Sequence, residues 1–99
     1  MSERALGVTV GVPFDVDFVA PGADYEWQLT VRPAGIELIS RIFRQFSDAA
    51  SGDTVLQLFH LRAALPGLHE LYFVLKRRSD VAVVQNEIVV IEAAAPGSA

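Results

Sequence analysis

The 99-residue chain contains no cysteine. That absence removes disulfides, thiolate nucleophiles and cysteine-ligated zinc together, so packing alone must hold the fold. A basic excess is missing as well. Eight Lys and Arg against twelve Asp and Glu give a formal net charge of −4, and no extended Lys/Arg patch supplies the electrostatic footprint of a nucleic-acid binder. No apolar run approaches the roughly 18 residues of a membrane helix. The opening Met1-Ser2-Glu3-Arg4-Ala5-Leu6-Gly7 lacks the apolar segment and small-residue cleavage site of a secretory signal, so a cytoplasmic protein without a membrane partner is expected. The glycines are scattered and no Gly-Lys-Ser/Thr follows them, which leaves no phosphate cradle. No serine sits in a strained Gly-x-Ser-x-Gly elbow.

Apolar residues are abundant: 52% of the chain is hydrophobic and 20% charged, which excludes disorder because enough apolar area exists to offset the entropy of ordering. A chain of this length makes one domain and buries about 60–70% of its unfolded surface. That domain is expected over residues 1–92, with Ala93-Ala94-Ala95-Pro96-Gly97-Ser98-Ala99 as a frayed tail. Two facing sheets would hide much of the apolar surface, and the remainder is available to a partner. A monomer is expected, with a dimer through that surplus as the alternative.

Periodicity places the strands. Gly7-Val8-Thr9-Val10-Gly11 reads as a brief strand, and Val12, Phe14, Val16 and Phe18 then alternate with Pro13, Asp15, Asp17 and Val19. Pro13 belongs at a strand start or an edge, and the two aspartates want water. Ala20-Pro21-Gly22-Ala23-Asp24 is a turn. It feeds a strand with Tyr25, Trp27, Leu29 and Val31 on one face, where Tyr25 and Trp27 serve as core anchors.

Residues 36–46 fit two patterns. Ile36, Ile39, Phe43 and Phe46 lie on one helical face and favour a helix, whereas the β-branched and aromatic content and the surrounding strands favour a strand. Ser47 to Thr54 reads as a polar loop. Val55 to Arg62, apolar on both faces, reads as an inner strand, and Leu65-Pro66-Gly67 is a turn before a strand from Leu68 to Leu75. Val81 to Val84 and Ile88 to Ile91 make either a hairpin or one long bulged strand. Six or seven short strands with regular turn signals predict an all-β antiparallel sandwich without a disulfide.

No constellation in the chain carries chemistry. His60 and His69 lie within strands without an acidic partner at ligand spacing, so both read as ordinary strand histidines. Asp15 and Asp17 share a strand face, where solvation accounts for them. No catalytic residue, metal site or cofactor is expected, and the protein does not read as an enzyme. Function on a rigid sandwich belongs to its loops. Three stand out, at Ala20 to Asp24, Ser51 to Val55 and Lys76 to Asp80, and in a sandwich of this order they fall at one end.

Ala20-Pro21-Gly22-Ala23-Asp24-Tyr25-Glu26-Trp27 resembles the first binding loop of the chagasin-type inhibitors of papain-like cysteine peptidases. That loop reads Asn-Pro-Thr-Thr-Gly-Phe/Tyr-x-Trp, and Pro21, Tyr25 and Trp27 match it. The family's second loop, Gly-x-Gly-Gly, falls on Gly52-Asp53-Thr54-Val55 and matches at Gly52. Its third, Arg-Pro-Trp/Phe, falls on Arg77-Arg78-Ser79 and matches at Arg77. The resemblance covers residues 8 to 92 and implies a disulfide-free immunoglobulin-like sandwich whose three loops form a wedge occluding a peptidase cleft without covalent chemistry. It further implies that Pro21, Gly22, Ala23, Asp24, Gly52, Asp53, Arg77 and Arg78 make the contacts with a protein partner, a papain-like cysteine peptidase. The alternative is a non-inhibitory protein-binding module on the same scaffold.

Overall fold

Alternation along the chain is repeated in the structure as alternation of burial. In the second strand Val16, Phe18 and Ala20 are buried while Asp15, Asp17 and Val19 face water. The computed structural model describes residues 2–22, 24–48 and 52–97, and among these it contains seven strands and no helix. They are β1 (Ser2–Thr9), β2 (Phe14–Ala20), β3 (Tyr25–Val31), β4 (Ile36–Asp48), β5 (Gly52–Ala63), β6 (Gly67–Arg77) and β7 (Val83–Ala94). Two sheets, in the orders β1-β7-β6-β3 and β2-β5-β4, face each other as an immunoglobulin-like β-sandwich.

All pairings are antiparallel except one: β1 runs parallel to β7, from Ser2 opposite Glu87 to Thr9 opposite Ala94. Each connection reverses the chain, so the six connections between the first and seventh strands leave those two pointing the same way. β1 also starts earlier than the brief strand expected at Gly7. Val83 and Val84 join the run from Ile88 to Ile91 in the single strand β7, with a register shift opposite Leu75 and Lys76, while Val81 and Ala82 lie before it. β7 continues through Ala94 with Ala93 buried, two residues past the expected boundary of the domain.

Residues 36–46 form a strand, against the helical pattern. The register on β5 shifts between Leu38 and Ser40, and such a bulge reverses which face each later residue occupies. Alternation therefore fails across Ile39, and apolar spacing that mimics a helix is left behind. The loop expected from Ser47 to Thr54 is also shorter, because Phe46, Ser47 and Asp48 pair with Thr54, Asp53 and Gly52. The expectation for residues 49–51 lies outside the described residues.

The core is apolar and centred on aromatic rings. Phe18 stacks on Trp27 with ring centroids 4.5 Å apart, and it also meets Phe73 at 4.6 Å and Phe59 at 5.9 Å. These spacings lie in the range that favours aromatic pairs beyond simple area burial. Leu71, Phe73 and Leu75 of β6 form the opposing face, as their alternation predicts. Tyr25 packs against the core while remaining half-buried. Val31 departs from the expected face and is exposed, because the β3–β6 register shifts between Leu29 and Val31.

Both edges of the four-stranded sheet are tied to the other sheet by a polar side chain. On β1, Arg4 donates to the Asp17 carbonyl of β2 at 2.9 Å, lies 3.1 Å from the Glu87 carboxylate and covers the Phe18 ring at 4.9 Å. On the β3 edge the bond comes from Gln57 of β5, the buried polar residue of the core. Its Oε1 accepts from the Trp27 N–H at 2.6 Å, and its Nε2 donates to the Trp27 C=O at 2.9 Å. The side-chain amide thus stands in for a neighbouring strand. Trp27 adds a third link, donating from Nε1 to the Val19 carbonyl at 3.1 Å.

Replacing Gln57 by leucine keeps the volume and strands both Trp27 backbone groups. Each buried unsatisfied group costs about 1–3 kcal/mol, so Gln57→Leu should lower unfolding free energy by about 2–6 kcal/mol in urea denaturation. A loss below about 1 kcal/mol would show that these groups find other partners.

On the outside of the four-stranded sheet, the Tyr72 hydroxyl donates to Glu70 at 2.6 Å. That hydrogen bond, then the carboxylate's charge, then slight desolvation raise the phenol above its ordinary value of 10.0. Because the folded-state value is the higher one, the stabilisation is complete below the unfolded value and lost as pH rises through the folded one. In a Tyr25→Phe background, Glu70→Gln should move the tyrosinate absorbance titration to lower pH. Superimposable titrations would refute the assignment.

Candidate functional site

The pairing registers bring three connections to one end of the sandwich. Ala20, the last residue of β2, lies opposite Val55 of β5, and Tyr25, the first of β3, lies opposite Arg77 at the end of β6. The β2–β3 and β6–β7 connections are therefore side by side. The β4–β5 hairpin leaves the same end and runs three residue pairs beyond Val55, to Asp48 opposite Gly52. At about 3.4 Å per residue it projects roughly 10 Å past the end of β2.

Backbone hydrogen bonds close the β2–β3 connection and tie it to the β6–β7 connection. Tyr25 N–H donates to the Gly22 carbonyl at 3.2 Å, closing the turn that Pro21-Gly22 predicts, and Arg78 N–H donates to the Asp24 carbonyl at 2.6 Å. The second bond joins the first expected loop to the third. The Arg78 guanidinium also reaches Glu26 at 3.5 Å. Pro21, Asp24 and Arg78 are exposed and Gly22 is half-buried. Ala23 lies outside the described residues, and Gly52 and Asp53 stand at the end of the hairpin.

Arg77 has a different position from the one its sequence neighbour occupies. Its Nε donates to Asp80 at 3.1 Å, its N–H donates to the Ala82 carbonyl at 2.9 Å, and its carbonyl accepts from Val81 N–H at 2.8 Å. Asp80 Oδ1 also accepts from Ala82 N–H at 3.2 Å. Arg77 and Asp80 therefore frame the β6–β7 connection, and Arg78 is the arginine directed outward. Within this frame Val81 has a φ of +59° and is 65% exposed.

Elsewhere the structure supplies one polar row that sequence reading does not. His60 Nδ1 is 2.6 Å from Asp15 Oδ1, and the registers place Asp15, His60 and Ser40 side by side across β2, β5 and β4. The expectation that neither histidine has an acidic partner is thus corrected for His60, since β2–β5 pairing joins residues far apart in sequence. The row lies on the outer face of the sheet. Among the described residues no hydrogen bond joins Ser40 to His60, so the row stops at the surface contact between His60 and Asp15. His69 is a strand histidine as expected, with Nε2 2.8 Å from the Leu65 carbonyl. No group of three or more potential metal ligands occurs among the described residues, and no helix there is long and apolar enough to cross a membrane. A shallow hollow of about 270 Å³ is lined by Gly67, Leu68, Glu92, Ala93 and Ala94, at the opposite end of β6 and β7 from the three connections.

No family model matches the chain. No curated protein matches it in sequence. Solved structures do. The crystal structure of the cysteine protease inhibitor EhICP2 from Entamoeba histolytica superposes with a TM-score of 0.67 over 94% of this chain and 96% of that one, at 10% identity. The solution structure of amebosin gives a TM-score of 0.61 over 91% of this chain and 88% of that one, at 13% identity. The likeness is one of fold. It extends over nearly the whole of both chains, as the resemblance in the first loop implies.

Two residues of this end have no sequence signal that marks their roles. Val81 occupies a backbone region that valine disfavours, so nothing in the composition of the loop announces it. Gln57, which anchors Trp27 just inside the site, stands among Val55, Phe59 and Leu61, and nothing in its own strand names the Trp27 backbone as its partner.

Asp80 holds the β6–β7 connection through two hydrogen bonds at an exposed position. Asp80→Ala should therefore leave global stability within about 1 kcal/mol, while amide exchange at Val81 and Ala82 becomes faster. Unchanged exchange at both amides would show that the backbone bonds alone hold the loop.

Proposed function

We propose that the protein is an inhibitor of papain-like cysteine peptidases that blocks the active-site cleft without covalent chemistry. The observation that carries this reading is the convergence of the β2–β3, β4–β5 and β6–β7 connections on one end, with Arg78 N–H bonded to the Asp24 carbonyl. It is supported by a scaffold shared over nearly full length with a protein described as a cysteine protease inhibitor. Occlusion needs a shaped, pre-ordered protrusion and no reactive group. The two joined connections are held to each other by the bond from Arg78 to Asp24, and loops held in place before binding lose less entropy on association. In this reading Pro21, Gly22, Ala23, Asp24, Gly52, Asp53 and Arg78 meet the peptidase, and Arg77 holds the third connection in shape.

Purified protein titrated against papain should give reversible, competitive inhibition with a constant below the micromolar range. No inhibition at micromolar concentration would overturn the reading for papain. A second reading, a protein-binding module that does not inhibit, is favoured by the exposed apolar side chains of β4, where Ile42 and Phe43 are 41% and 44% exposed.

A further inference from the structure

We infer that Val81 is the apolar anchor of the site, the side chain that enters a small aliphatic pocket on the partner. The inference rests on the inhibitory reading above and adds the residue that sets its specificity.

The starting point is backbone conformation. Val81 has a φ of +59°, in the left-handed region, where a branched β-carbon crowds the backbone and glycine or asparagine is far more comfortable. Residues held this way persist only where the surroundings over-determine them, and they cluster at binding and catalytic sites. Here the surroundings are a closed hydrogen-bonded frame. Val81 N–H donates to the Arg77 carbonyl, Arg77 N–H donates to the Ala82 carbonyl, and Asp80 accepts from both Ala82 N–H and Arg77 Nε.

Val81 is 65% exposed, so the domain gains little from the packing of its methyl groups. The fold would be served as well or better by glycine at this position. What remains for the side chain is contact outside the molecule. The position suits that purpose, since Arg78, three residues earlier, is bonded to the Asp24 carbonyl and exposed. Val81 therefore belongs to the same end as the β2–β3 connection. The matching partner surface is an apolar hollow sized for a branched aliphatic group, with a carboxylate within reach of Arg78.

Two variants test this, each suited to the left-handed region: Val81→Gly and Val81→Asn. Thermal unfolding midpoints should be unchanged or higher in both, because strain is relieved. Inhibition of papain should weaken about tenfold or more, the change expected when one aliphatic side chain is withdrawn from an apolar contact. Stability and binding would then move in opposite or independent directions, which a merely structural role does not produce. Full inhibition by both variants, beside full inhibition by the unaltered protein, overturns the role of Val81 and leaves the inhibitory reading intact. A lowered midpoint in both variants also overturns it, since the side chain would then serve the fold. Failure of the unaltered protein to inhibit removes the inhibitory reading and this inference with it.

Discussion

The two hydrogen bonds between the Gln57 amide and the Trp27 backbone are the constraint on which the sandwich depends. Sheets that face each other are joined by non-directional packing, which specifies contact more firmly than register. An amide that pairs with both the N–H and the C=O of one residue on the opposite sheet adds direction. It sets β3 against β5 at a single position, and it satisfies backbone groups at a sheet edge that would otherwise be buried without partners. Trp27, fixed by that pair, places its ring on Phe18, and Phe18 in turn meets Phe59 and Phe73. The aromatic centre is thus positioned by a polar contact. At the other edge Arg4 performs the same joining of sheets through the Asp17 carbonyl and the Phe18 face.

Much of this fold was legible in the sequence wherever alternation ran unbroken. Val16, Phe18 and Ala20 on β2, and Leu71, Phe73 and Leu75 on β6, occupy the buried positions their spacing predicts. The inner place of β5 followed from apolar residues on both its faces, and the order of the sheets sets it between β2 and β4. Legibility failed where the ladder is irregular. The shift between Leu38 and Ser40 breaks alternation in β4, and the one between Leu29 and Val31 turns Val31 outward. A bulge is a property of two strands, so one strand's sequence carries it poorly. The same holds for the site. Proline and glycine marked the β2–β3 connection, whereas the bond from Arg78 to Asp24 depends on β3 lying beside β6.

The loops also show how charge is distributed at this end. Arg77 is taken up by Asp80, and Arg78 is shared between its backbone bond to Asp24 and the Glu26 carboxylate. Pairs this exposed contribute little to stability. Their effect is geometric, since each draws one segment of the site toward another. Two arginines adjacent in sequence are therefore divided by the fold into one that shapes the loop and one that faces outward.

The apolar surplus seen in the composition is localised in the structure. Among the strands at sheet edges, β2 carries Asp15 and Asp17 outward, and β3 has Trp27 taken by Gln57, devices that discourage further pairing. β4 differs. It is thirteen residues long, pairs with β5 alone among the described strands, and exposes Leu38, Ile39, Ile42 and Phe43. Its defences are the bulge at Leu38–Ser40 and the exposed charges of Arg41 and Arg44. β4 is also the strand that carries the chain into the projecting hairpin, so its apolar edge leads directly to the end where the three connections meet. A partner seated on those connections would have this edge beside it, which is where hydrophobic area left over from the core is of use.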